Sequence, residues 1–174
     1  ASDHDPVVAL LNIPVPYAVQ TGTAGNDTLT GTGVRDHLIG GDGNDRLRGF
    51  GGDDLLEGGN GDDVLEGGEG NDRMVGGAGN DAYFVDAAGD QVIELPGEGN
   101  DTVRTTLNSY VLPDNVEVLN FIDGDSAVGE GNALNNTIFG TSGHDILIGR
   151  GGDDRLVGGG GTDVPIAGIA TAVA

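Results

Sequence analysis

The chain has 174 residues, with 35 glycines, seven aromatics and no tryptophan or cysteine, so it cannot build a large mixed core or a disulfide framework. Its 29 acidic and 7 basic residues give a net charge of −22, which excludes an electrostatic interface with nucleic acid or an anionic membrane, since each needs a basic face. Any core must be thin and repetitive, and a bound metal is the staple open to such a chain.

Residues 1–12 begin with a polar stretch and run into Val7, Val8, Ala9, Leu10 and Leu11. Ser2, Asp3, His4, Asp5, Pro6 and Val7 resemble the closing motif of the endonuclease/exonuclease/phosphatase superfamily. The resemblance implies that residues 1–12 are the C-terminal end of an upstream nuclease or phosphatase domain. There Asp3 orients or helps place a metal, and His4 serves as general base. The other pieces of that site have no counterpart here, so the chain is expected to hydrolyse nothing. Pro14 and Pro16 make residues 13–21 a stiff linker.

From Gly22 to Phe84 the sequence repeats every nine residues: GTAGNDTLT, GTGVRDHLI, GGDGNDRLR, GFGGDDLLE, GGNGDDVLE, GGEGNDRMV and GGAGNDAYF. Glycine opens each unit. Position six is always aspartate: Asp27, Asp36, Asp45, Asp54, Asp63, Asp72 and Asp81. Position eight is always large and apolar: Leu29, Leu38, Leu47, Leu56, Leu65, Met74 and Tyr83. Such regular spacing argues against a disordered acidic tail, whose charges would fall in blocks.

The glycines permit a tight turn with positive φ, and the last three residues alternate as a minimal strand with one inward side chain. Two units make one coil of a solenoid, so turns on one edge come from units i and i+2. Stacked strands lie ~4.7–4.9 Å apart. Calcium takes oxygen ligands at ~2.3–2.6 Å, so an ion midway between two stacked turns reaches both. Each aspartate can then give one oxygen to the ion above and one to the ion below. Turn carbonyls such as those of Gly41, Gly43, Gly59, Gly61, Gly68, Gly70, Gly77 and Gly79 complete the shell. The pairs Asp27/Asp45, Asp36/Asp54, Asp45/Asp63, Asp54/Asp72 and Asp63/Asp81 predict five ions in this array. Magnesium demands shorter bonds, and transition metals prefer His or Cys ligands that the motif lacks.

Residues 85–130 break the period. Strand-like runs at Gln91–Leu95, Thr102–Thr106 and Val116–Phe121 are separated by turn signals such as Pro113, Asp114 and Asn115. The insert is expected to continue the solenoid with broader coils, and Asp101 closes a turn-like segment as a possible extra ligand. A second array over 131–166 places Asn136, Asp145, Asp154 and Asp163 at position six. It adds an Asp145/Asp163 pair and a weaker Asn136/Asp154 pair. Pro165 stands where an inward residue belongs and suits a terminal cap. His37 and His144 occupy variable, outward positions. Residues 167–174 form a tail of small residues.

These units resemble the repeats-in-toxin (RTX) family, whose pattern G-G-x-G-x-D-x-U-x binds calcium. The expected fold is all-β: a parallel β-roll, or β-solenoid, of glycine-rich nonapeptide repeats with several Ca²⁺ ions between turns. The resemblance further implies an extracellular protein exported by type I secretion machinery, which folds outside on meeting calcium; the tail could carry part of the export signal. No apolar run approaches the ~20 residues of a membrane span. A carbohydrate-binding or scaffold module of an alginate-modifying type of enzyme and a segment of a repeat-containing adhesin are the alternatives. Oligomeric state is open.

Overall fold

The computed structural model describes residues 18–167, which hold seventeen short β-strands. The motif with Asp3 and His4, the linker up to Tyr17 and the tail from residue 168 lie outside the described residues. Residues 18–21, expected to be linker, instead form β1 (Ala18–Thr21), which pairs with β3; the first array forms β2 (Thr28–Thr30), β3 (Asp36–Asp42), β4 (Arg46–Gly51), β5 (Leu55–Asn60), β6 (Val64–Glu69), β7 (Arg73–Ala78) and β8 (Ala82–Val85). The insert adds β9 (Gln91–Ile93), β10 (Thr102–Thr105), β11 (Ser109–Val111), β12 (Val118–Phe121) and β13 (Val128–Glu130). The second array supplies β14 (Thr137–Phe139), β15 (Ile146–Ile148), β16 (Arg155–Val157) and β17 (Val164–Ile166).

Every pairing is parallel, and the chain alternates between two walls. The even strands form one continuous sheet in the order β16-β14-β12-β10-β8-β6-β4-β2. The odd strands form two sheets, β1-β3-β5-β7-β9 and β11-β13-β15-β17. Within the arrays each residue pairs with the one eighteen positions on, as in Leu47 with Leu65 and Leu56 with Met74. Two nonapeptides therefore make one coil. The strands β3–β7 run beyond the expected three residues: Gly59 still pairs with Gly77 and Asn60 with Ala78, so the ladder continues into the turn.

The insert keeps the coil but changes its length. Ala82 pairs with Thr102, twenty residues on, and Thr102 with Val118, only sixteen on. The odd wall is interrupted between β9 and β11. One side-chain amide bridges this seam, Asn115 Nδ2 donating to the Glu94 carbonyl at 2.9 Å; one coil further on, Asn132 Nδ2 donates to the carbonyls of Pro113 and Val116 at 2.7 Å. Strands β11 and β13 are not evident from the sequence, because their runs contain too few apolar residues to alternate. Pro165 lies in the edge strand β17 opposite Leu147, where its missing N–H leaves no ladder bond unmade.

The core is a single file of side chains between the walls. Leu38, Leu56 and Met74 from the odd wall pack with Leu47, Leu65 and Tyr83 from the even wall, all without exposed surface. Val103, Leu119, Ile138 and Leu147 continue the file. Each such burial contributes ~1.5–3 kcal/mol, but only one residue in nine takes part.

Glycine is required where coils touch. Gly59 has φ 117°, and a Cβ there would collide with the Gly41 backbone of the coil before it. At Gly33 a Cβ meets nothing within 4 Å. Gly59→Ala is therefore expected to lower stability in calcium by at least ~1–2 kcal/mol, whereas Gly33→Ala leaves it nearly unchanged. Denaturant unfolding of both variants checks this difference.

Candidate metal centre

The position-six aspartates stack in two columns, one along each edge of the roll. One column runs Asp27, Asp45, Asp63, Asp81; the other runs Asp36, Asp54, Asp72. From Asp36 to Asp81 each is at most 3% exposed, while Asp27 at the open end is half-buried. Each backbone N–H donates to Oδ1 of the aspartate one coil on: Asp27 to Asp45, Asp36 to Asp54, Asp45 to Asp63 and Asp63 to Asp81 at 2.7 Å, and Asp54 to Asp72 at 2.8 Å. One carboxylate oxygen is thus engaged by the neighbouring coil's backbone, not offered freely to a second ion as the spacing alone suggested.

The other oxygen divides the turns into two kinds. In units opening with Gly-Thr, the position-two residue closes back on its own aspartate. Thr23 N and Oγ1 donate to Asp27 Oδ2 at 2.6 and 2.8 Å, Thr32 does the same for Asp36, and Thr141 N donates to Asp145 Oδ2 at 2.7 Å. In the other kind position two is left-handed: Gly41, Phe50, Gly59, Gly68, Gly77 and Arg150 have φ between 69° and 117°. There the buried oxygens Asp45 Oδ2, Asp54 Oδ2, Asp63 Oδ2, Asp72 Oδ2, Asp81 Oδ2 and Asp154 Oδ2 have no hydrogen-bond partner; in the Gly-Thr turns Oδ2 is satisfied, although Asp36 leaves its Oδ1 without one. A buried carboxylate oxygen without a donor is costly unless a cation faces it.

The surroundings fit a hard cation. A Cβ on Gly40 would collide with Asp45 Oδ2 and lie 2.5 Å from the Gly58 carbonyl oxygen; Gly49 and Gly58 stand alike against Asp54 with the Gly67 carbonyl and Asp63 with the Gly76 carbonyl. All the groups in these cradles are oxygens, the donor set that calcium prefers. The expected glycines at 41, 43, 59, 61, 68, 70, 77 and 79 all have positive φ. The carbonyls of Gly41, Gly43, Gly59, Gly61 and Gly79 lie against glycines of the next coil. The position-one carbonyls of Gly58, Gly67 and Gly76 belong beside them, although the repeat alone did not single them out.

Three further acids extend the columns into the insert. Asp90 Oδ1 accepts from Asp72 N at 3.1 Å, Asp101 Oδ1 from Asp81 N at 2.8 Å, and Glu117 Oε2 from Asp101 N at 2.8 Å. Asp101 was expected from its turn-like segment. Asp90 is found by counting one coil from Asp72; Glu117 follows a shortened coil that no fixed count reaches.

In the second array Asp145 is 1% exposed and Asp154 and Asp163 are half-buried. Asp145 N donates to Asp163 Oδ1 at 3.1 Å and Asn136 N to Asp154 Oδ1 at 2.9 Å. Asn136 Nδ2 donates to the Val116 carbonyl at 3.1 Å, so an amide hydrogen serves where a cation would otherwise be needed. His144 is exposed, and its Nδ1 accepts from Thr162 N at 2.9 Å. His37 is half-buried, with Nε2 3.2 Å from Glu57.

A thin parallel coil whose turns present buried, donor-free carboxylate oxygens is a metal-binding β-roll. Residues 21–49, 48–83 and 130–165 match the RTX calcium-binding nonapeptide repeat, a unit of four copies, and together span more than half of the chain. The chain belongs to the RTX calcium-binding repeat family and is a calcium-binding β-roll. The matched segments do not reach Asp3 or His4, and the likeness of residues 2–7 to a nuclease motif finds no support in them. No curated protein and no solved structure matches the chain.

Burial raises the carboxyl pKa values of four stacked acids when no cation faces them. Asp54 and Asp63 are pushed up to about 6 and Asp72 and Asp81 to about 7, mainly by loss of water. Backbone hydrogen bonds from the preceding coil oppose this, and the charges of stacked neighbours add to it. Since the folded pKa values exceed those of the unfolded chain, the folded state holds more protons across this range. The resulting stability is present in full below the ordinary value of 3.8 and is lost as pH rises through 6 to 7. In calcium-free buffer the β circular-dichroism signal is expected to be strongest near pH 4 and to fall towards pH 7. Saturating calcium should remove the loss at pH 7.

Proposed function

We propose that this chain is a calcium-responsive folding module of a secreted protein, acting by binding and not by catalysis. The observation that carries the reading is the column of buried aspartate oxygens that no protein group satisfies. Two carboxylates ~5 Å apart repel by about 1 kcal/mol in water and ~3 kcal/mol at an effective dielectric of 20. Summed along both edges, this repulsion is comparable with the whole stability of a small domain. One apolar residue per nine cannot offset it, so the free energy of binding calcium is also the free energy of folding.

Such a chain stays unfolded where calcium is scarce and folds where it is plentiful, which suits passage through a type I export channel followed by folding outside the cell. RTX repeats typically occur in secreted proteins. The parent protein is an extracellular nuclease or phosphatase, a reading that rests on the likeness of Ser2 to Val7 to that superfamily's closing motif.

A second reading, a carbohydrate-binding module for an anionic sugar, is favoured by the placement of the arginines. Arg46, Arg48, Arg104 and Arg155 all stand exposed on the even wall. The guanidinium carbons of Arg48, Arg104 and Arg155 lie 4.8, 5.5 and 5.6 Å from the ring centres of Phe50, Phe84 and Phe139. Glu66 pairs with Arg48 at 2.7 Å and weakens that face as an anion site.

Calcium titration with circular dichroism and equilibrium dialysis tests the first reading. The chain should be disordered in chelator and β-rich in millimolar calcium, with magnesium failing to substitute. Asp63→Asn should reduce the calcium bound, whereas Asp27→Asn, at a turn closed by Thr23, should not. A spectrum unchanged by chelator would sink the proposal.

A further inference from the structure

The turn that opens at Gly76 differs from those before it. Gly40, Gly49 and Gly58 each face their own aspartate and a glycine carbonyl of the next coil. Gly76 faces Asp81 Oδ2, the Tyr83 hydroxyl and Glu94 Oε1, the last 2.6 Å from the place a Cβ would take. Glu94 lies one residue past the Val75–Ile93 pair, so a carboxylate stands at the register position that holds glycine in the coils below.

These groups converge. The Tyr83 hydroxyl donates to Glu94 Oε1, and Asp81 N donates to Asp101 Oδ1 at 2.8 Å. One oxygen from each of Asp81, Glu94 and Asp101 lies within 4.8 Å of the others, and all three residues are buried. Two independent oxygens in the cluster are orphaned: Glu94, 6% exposed, leaves Oε2 without a donor, and Asp81, 1% exposed, leaves Oδ2. Three carboxylates with only a phenol and two backbone N–H groups donating to them, and no cationic side chain in the cluster, need a counter-ion when charged. A tyrosine hydroxyl at position eight, where the preceding units carry Leu or Met, gives this pocket a polar wall inside the apolar file.

We propose that Asp81, Glu94 and Asp101, with the Tyr83 hydroxyl, form a calcium site of their own that binds more tightly than the repeat turns and fills first. The proposal rests on reading the roll as a calcium module. It goes further by adding Glu94, which lies outside the nonapeptide pattern, and the Tyr83 hydroxyl to the two column aspartates. Affinity of a calcium site rises with the number of charged ligands. Each open regular turn has one donor-free carboxylate oxygen, whereas this pocket has two, Asp81 Oδ2 and Glu94 Oε2, and gathers three carboxylates. Its ion would clasp the first coil of the insert to the end of the first array and so seed the stack from that point.

Terbium, a calcium-sized probe whose emission is excited through a tyrosine beside it, tests the site in the full chain. Sensitised emission should rise with the first ion bound, before the bulk of the β signal forms. Tyr83→Phe, which keeps the ring in the core, should abolish the emission that accompanies the first ion bound. Glu94→Gln still accepts the Tyr83 hydrogen bond and should weaken the first calcium-binding step by roughly tenfold or more, while the repeats keep their calcium-dependent circular dichroism. An unchanged first step in Glu94→Gln, or first-ion emission that survives Tyr83→Phe, overturns the proposal. If the glutamine variant fails to fold, the phenylalanine variant decides alone. A parent chain whose circular dichroism ignores calcium would instead overturn the reading of the whole roll.

Discussion

Parallel coils stacked at the strand spacing place each aspartate at position six one layer, or ~4.8 Å, from the next. That distance is about twice a calcium–oxygen bond, so one geometry creates both the repulsion and the gap for the ion that relieves it. The bare glycines, the left-handed turns and the single-file core are arrangements compatible with this layer spacing. A bulkier core would widen the coil, and a Cβ on Gly40 would fill the space beside Asp45.

Within that lattice, one residue per turn separates two behaviours. Threonine at position two turns its N–H and hydroxyl onto the unit's own aspartate, as Thr23 does with Asp27. Glycine there takes positive φ and leaves the aspartate oxygen open. Phe50 and Arg150 adopt the same left-handed backbone without glycine's freedom, so the stack imposes this turn on residues that disfavour it. The closed turns open the first array, at Gly22 and Gly31, and recur at Gly140 in the second unit of the second array. In the first array they form the outermost coil, where fewer layers are present to share an ion. A local hydrogen bond satisfies one aspartate oxygen there, while Asp36 Oδ1 stays without a partner.

The insert shows how far the repeat can drift before the coil fails. Coils of twenty and sixteen residues are absorbed on the even wall, which stays hydrogen-bonded throughout, while the odd wall parts between β9 and β11. Asn115 crosses the seam with its side-chain amide where ladder bonds are missing. The pocket of Asp81, Glu94 and Asp101 lies beside this seam. A glutamate can enter the column there because the next odd strand does not pair above it.

Periodicity carried most of the fold and much of the site. Spacing by nine, an inward residue at position eight and aspartate at position six together specify a two-unit coil, two columns of carboxylates and an oxygen-only donor set, because each follows from local backbone geometry repeated in register. Asp101 was legible from a turn-like segment, and Asp90 from a count of eighteen. What the residues could not reveal alone were contacts without a fixed sequence offset. Glu117 and Glu94 meet the columns through coils of irregular length, and Arg104 and Arg155, far apart in the chain, come to one wall only when the walls are built. Whether a carboxylate oxygen is satisfied or orphaned is likewise a property of the closed turn, since it depends on where a neighbouring coil's N–H points and not on the identity of the acid.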